Sequence, residues 1–187
     1  NKQFKSGFAS VASLAGLAFA LIFAVAPNQA AAKCAETSSG GLTTNSANCA
    51  PVKKAKLVNG KAIAPASAPA RVKRVIAWGN RIRNKPYIYG GGHSSFFDKG
   101  YDCSGTVSFA LRGGKFVKSP MPSTGYMKWK KRGSGKWITT YSNPGHMYLV
   151  VAGLRLDTSM TPGNGPGWSA NMRSASGEYS VRHPGGY

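Results

Sequence analysis

Carboxylates are the scarcest functional groups in this chain. Among 187 residues there are five, Glu36, Asp98, Asp102, Asp157 and Glu178, against 25 Lys and Arg. No D-x-D or E-x-x-E pairing occurs among them, which argues against two-carboxylate glycosidases, two-metal phosphoesterases and calcium loops. Cysteine and histidine are also rare, at three each, and no C-x-x-C or H-x-x-x-H spacing supports zinc. Neither a metal nor any other cofactor is therefore expected. The length is too small for two ordinary domains. Hydrophobic residues make up 42% of the chain, enough to build a core.

The formal charge is +20. Lys2 and Lys5 are followed by an apolar stretch from about Phe8 to Ala26, then Pro27 and the small residues Ala30-Ala31-Ala32. This pattern predicts a secretory signal peptide over residues 1–32, with a retained membrane anchor as the alternative. From Lys33 to Ala70 the composition is Ala, Ser, Thr, Asn, Gly, Pro and Lys, which predicts a low-complexity linker. Within it Cys34 and Cys49 lie fifteen apart, and an exported protein could close them into a disulfide loop worth about 3 kcal/mol. That pairing leaves Cys103 as an odd thiol, for which a nucleophile is a standard explanation.

The folded domain is expected over residues 71–187. Setting aside two lysines in the leader and five in the linker leaves 18 Lys/Arg against four acids, or +14. Val72, Val75, Ile76, Gly79 and Ile82 form one helical stripe, predicting a helix from about Pro69 to Asn84 that Pro86 stops. A second helix is predicted from Cys103 to Gly113-Gly114. Strand patterns follow at Trp137–Tyr141, His146–Val151, Leu154–Thr158 and Tyr179–Arg182. Helices first and strands after predict an α+β domain with an antiparallel sheet.

A cysteine at a helix start meets the positive end of the helix dipole and unpaired backbone N–H groups. Both favour a thiolate, and the same N–H groups can receive an oxyanion. The alternative for Cys103 is a small buried hydrophobe. A base is supplied by His146, which opens a strand after the turn Asn143-Pro144-Gly145. If Ala152-Gly153 is a two-residue hairpin loop, residue 148 opposes residue 157, and Asp157 shares the face of His146 about 7–8 Å away diagonally. Its carboxylate could then accept the imidazole N–H. His183, in Val181-Arg182-His183-Pro184, is the rival third residue. His93, in a Gly/Ser loop, lines the cleft or is merely solvated.

Pro86-Tyr87-x-Tyr89-Gly90-Gly91, Asp102-Cys103-Ser104-Gly105 and Gly145-His146 entering an apolar strand together resemble the NlpC-type cell-wall cysteine peptidases, over about residues 71–158. The resemblance implies a papain-like α+β domain and a secreted, wall-associated enzyme. It implies hydrolysis of a peptidoglycan stem-peptide bond, commonly between D-γ-glutamate and the diamino acid. Cys103 would be the nucleophile and His146 the base. Tyr87 matches the tyrosine that assists the oxyanion, and Asp102 and Ser104 match positions that hold the free amino end of the stem peptide. The chain departs from the family at Trp137-Ile-Thr-Thr-Tyr, at Asp157 (usually His, Gln or Asn) and over residues 160–177. Two other readings are an amidase of the related CHAP type and a non-catalytic basic wall-binding protein on a degenerate peptidase fold.

The run from Lys128 to Trp137, basic with flanking Trp, suits an anion or is a solvated loop. The expected partners are stem peptides and anionic wall polymers rather than nucleic acid, with the protein as a monomer.

Overall fold

The apolar stripe of residues 72–82 becomes a helix because its five small or apolar residues fall on one side of a 3.6-residue repeat. In the computed structural model, which describes residues 54–159, 165–173 and 178–187, this helix is α1, Ala70–Ile82, and Val72, Val75, Ile76, Gly79 and Ile82 are its buried residues. It starts at Pro69, where the missing N–H costs nothing. Helix α2, Cys103–Gly113, is buried nearly all round and packs against α1. A single turn, α3, covers Ser123–Tyr126.

Eight strands accompany them. β1 (Lys56–Val58) and β2 (Lys61–Ile63) form a separate antiparallel pair. The others are β3 (Lys131–Arg132), β4 (Ile138–Ser142), β5 (Met147–Val151), β6 (Leu154–Asp157), β7 (Gly167–Ser169) and β8 (Ser180–His183). They make one six-stranded sheet in the order β3-β8-β4-β5-β6-β7, antiparallel at every pairing. The molecule is thus an α+β domain whose helices cover an antiparallel sheet. The core joins Val75 and Ile76 of α1, Val107 and Leu111 of α2, and Ile138, Met147, Leu149 and Leu156 of the sheet. Gly79 is in the stripe because Trp168 of β7 occupies the space a Cβ would need. No helix among the described residues is long and apolar enough to cross a membrane.

Two expectations need correction. Residues 54–70 are not linker. Asn59 and Gly60 both have positive φ, giving the primed turn that matches strand twist. The resulting hairpin is bonded to the domain: the Ala62 N–H donates to Asn80 Oδ1 (3.0 Å), Asn80 Nδ2 donates to the Ala62 carbonyl (2.8 Å), and the Ala55 N–H donates to the Ala152 carbonyl (2.8 Å). Second, the basic run is not simply a solvated loop. Lys131 and Arg132 pair with β8, and Trp129 and Trp137 are buried in the core, so neither indole flanks a surface patch. Residues 167–169, within the stretch where the chain departs from the resembled family, form an edge strand, β7. The expected signal peptide, the Cys34–Cys49 disulfide and residues 33–53 of the linker lie outside the described residues.

Candidate active site

Asp102 caps α2, with its Oδ1 accepting the Gly105 N–H at 2.7 Å, and so places Cys103 as the first helical residue. Cys103 is a free thiol at the end where backbone N–H groups lack intrahelical partners. The start of α2 also sits hard against the preceding loop. A Cβ on Gly105 would run into the Gly91 carbonyl, and the Asp102 N–H donates to that same carbonyl at 3.2 Å. Only glycine at 105 lets helix and loop approach this closely.

His146 is aimed by the turn before it. Asn143 Oδ1 accepts the N–H groups of Gly145 (3.0 Å) and His146 (2.7 Å), and the Asn143 N–H donates to the His146 carbonyl (2.9 Å). The β5–β6 hairpin has the expected register, Leu149 opposite Leu156 and Val151 opposite Leu154, around Ala152-Gly153 with both φ positive. That register brings Asp157 under the ring: His146 Nε2 donates to Asp157 Oδ1 at 3.0 Å. The Cys103 side chain is close enough to the imidazole to help raise its pKa. With Nε2 committed to the carboxylate, Nδ1 is the nitrogen left for the thiol.

The Asp157 side chain is wholly buried. Its Oδ2 accepts from Arg173 Nε at 2.7 Å and lies 3.6 Å from Arg155 Nε, and its Oδ1 also takes the Thr158 N–H at 2.7 Å. Burial works against the charged carboxylate, but the hydrogen bonds from His146 and Arg173 outweigh it and hold the pKa well below the usual range. For His146 burial likewise opposes the charged form, yet Asp157 and Cys103 prevail and push its pKa up to about 9. The imidazolium is the stable form at neutral pH.

A second set of polar groups surrounds Asp102. Besides the cap, its carboxylate accepts the Gly90 N–H (3.2 Å) and the Ser104 hydroxyl (3.2 Å). His93 Nε2 lies 2.9 Å from Asp102 Oδ2 and 2.8 Å from Ser104 Oγ. Tyr87 is partly exposed. Backbone bonds on either side of it, Tyr101 N–H to the Pro86 carbonyl (3.1 Å) and Ile88 N–H to the Tyr101 carbonyl (3.4 Å), hold Tyr87 alongside the residues before α2, and burial, then Cys103 and Asp102, raise its phenol pKa.

The structure thus brings Cys103, His146 and Asp157 together, with Tyr87, Asp102 and Ser104 beside them. It does not bring His183 there. That ring bonds the Gly133 carbonyl through Nδ1 at 2.9 Å, on a strand two places from β5. Two participants escaped the sequence reading. Arg173 sits in a Gly-, Ser- and Pro-rich stretch with no periodicity to point at it. Arg155, two residues before Asp157 on one strand face, could have been found by alternation. Of the two readings the sequence leaves open for His93, lining the cleft or standing in solvent, its contacts with Asp102 and Ser104 favour the first. No group of three or more His, Cys, Asp or Glu able to hold a metal occurs among the described residues. No protein-family profile and no curated protein matches this chain.

Proposed function

We propose that this protein is a papain-like thiol hydrolase that cleaves an amide bond in peptidoglycan stem peptides. The observation that carries the reading is the Cys103–His146–Asp157 chain of contacts at the start of α2, with Nε2 of the histidine on the carboxylate. In the proposed cycle His146 already holds the proton as imidazolium, and the Cys103 sulfur beside it attacks the amide carbonyl as the thiolate. The tetrahedral oxyanion is met by N–H groups at the helix start and by the Tyr87 hydroxyl. The imidazolium returns its proton to the leaving amine, and water then hydrolyses the thioester with His146 as base. Asp157 holds the ring and its charge throughout.

Substrate class rests on the resemblance of the Tyr-x-Tyr-Gly-Gly, Asp-Cys-Ser-Gly and Gly-His segments to the cell-wall peptidases. In this reading Asp102 and Ser104 receive the free amino end of the stem peptide, with the D-γ-glutamyl bond to the diamino acid over Cys103. Asp102 already accepts four donors, so the substrate ammonium would replace the His93 N–H, which is on a side chain with solvent beside it.

Digestion of purified muropeptides, read by mass spectrometry, tests the proposal. Wild type should release cleaved stem peptides, and Cys103→Ala should release none while keeping its melting temperature. Substantial cleavage by Cys103→Ala would overturn the mechanism. Iodoacetamide at pH 6 should alkylate Cys103 far faster than an ordinary thiol; inertness would favour a degenerate binding fold.

A further inference from the structure

A cavity of about 550 Å³ opens beside α2, away from the thiol, within the size range of small-ligand sites. Its walls are apolar: Ile82 at the end of α1, Phe97 and Tyr101 in the loop before α2, and Phe109 of α2. Its charged groups are Arg81, Lys85 and Lys99, with Asp98 the one carboxylate. Asp98 is engaged, accepting the N–H groups of Gly92 (2.9 Å) and Lys99 (2.7 Å). Arg81 is held by ring faces, its guanidinium carbon 4.9 Å from the Trp78 centroid and 5.7 Å from that of Phe109. Among the described residues its N–H donors bond no carboxylate or carbonyl. Phe97, 64% exposed, forms an aromatic lip.

Three basic residues line one cavity whose single acid is already bonded. A guanidinium held by ring faces, with Lys85 and Lys99 in the same lining, suits a tetrahedral anion. The exposed ring face suits the C–H face of a pyranose, and Asp98 retains lone pairs for a hydroxyl. A nucleic-acid strand, by contrast, asks for cations strung along a track. We propose that this cavity binds a phosphorylated hexose unit, separately from the thiol site. Tyr101 lines the cavity and is two residues from Cys103, so a wall polymer held here would be anchored beside the site of hydrolysis. The wall reading supplies only the source of such a sugar; the binding itself does not depend on it.

The test uses the full chain, with tryptophan fluorescence and amide NMR shifts as readouts. The probes are N-acetylglucosamine 6-phosphate, the unphosphorylated sugar, inorganic phosphate and thymidine 5′-monophosphate. The sugar phosphate should bind at least tenfold more tightly than the plain sugar or phosphate and shift the amides of residues 97–101. Arg81→Gln should weaken it roughly ten- to a hundredfold, and Arg81→Lys by less. Phe97→Ala should erase its advantage over inorganic phosphate. Lys85→Gln, on the same rim, should weaken it tenfold and carries the test if Arg81→Gln fails to fold. Lys130→Gln, at a different basic patch, should leave it unchanged. Equal losses in Lys130→Gln and the rim variants, equal affinity for the plain sugar, or tighter binding of the nucleotide would each overturn the proposal. Cys103→Ala should bind the probe normally, so a failure of hydrolysis and a failure of this site are told apart.

Discussion

The carboxylate of Asp157 faces His146, Arg173 and Arg155, and Asp157 and Arg173 pull the imidazole titration in opposite directions. The bond between Asp157 and His146 raises the imidazolium pKa, whereas the Arg173 charge lowers it. Asp157→Asn should therefore bring the His146 titration down from about 9 and cut kcat on the order of 10–10³-fold, with little change in KM. Arg173→Met should move the same titration up, since it removes a repelling charge and frees the carboxylate for the ring. His183→Ala should leave both kcat and the titration near wild type, because that ring is spent on the Gly133 carbonyl. NMR of the histidine ring protons across pH, beside steady-state rates, reads all three. A crippled His183→Ala with a mild Asp157→Asn would move the third role to β8.

Among the elements, the start of α2 is the one whose position the chemistry depends on. Three of its restraints come from the loop before it: the Gly91 carbonyl on the Asp102 N–H, the Gly90 N–H on the Asp102 carboxylate, and the contact of Gly105 with Gly91. Gly105→Ala would favour the helix by propensity, by about 1 kcal/mol. The overpacking it forces against a backbone carbonyl costs about 1–3 kcal/mol and should win. Urea unfolding should show a net loss of stability, and iodoacetamide should react with Cys103 at a changed rate because helix and loop no longer seat together. A variant more stable than wild type would show that the loop yields freely. The β1–β2 hairpin is a different kind of element. Its Asn59-Gly60 turn is a strong local signal, overlooked because the surrounding composition reads as linker; its bonds to Asn80 and Ala152 were not legible at all.

At the scale of the whole molecule, charge governs behaviour in solution. The +14 carried by residues 71–187 should make binding to anionic wall fragments weaken as the Debye length falls from about 10 Å at 0.1 M salt to about 3 Å at 1 M. Cleavage of a small neutral muropeptide should change far less. A pull-down on purified walls across that range measures it, and a flat profile would show that the basic surface does not retain the protein. Stability should carry a pH signature too. His146 is raised from 6.5 to about 9 in the fold, so its contribution is complete below pH 6.5 and is lost as pH rises through about 9. Asp157 is depressed, so its contribution is present above its ordinary pKa and is lost as pH falls through the folded value. In Cys103→Ser, where no thiol proton enters the balance and the thiol's share of the His146 shift is lost, the unfolding free energy should decline as pH rises from 6.5 through the His146 pKa, by at most about 1.4 kcal/mol per unit. Adding Asp157→Asn should flatten that decline.

Local chemistry in the sequence determined much of this: the five-residue stripe of α1, the cap and first residue of α2, and the alternation and two-residue turn of the β5–β6 hairpin. That turn was enough to place Asp157 on the same face as His146, because strand pairing next to a tight turn is a short-range matter. The tertiary structure alone decided which distant groups converge. Arg173 reaches Asp157 from beyond β7, and His93 folds back onto Asp102 and Ser104. His183 is carried two strands away from the site, and Trp129 and Trp137 turn inward to the core. Nothing in the residues between these partners encodes their separation in space. It follows from how six strands order themselves in a sheet and how two helices pack over it, which is settled by the burial of the whole core at once.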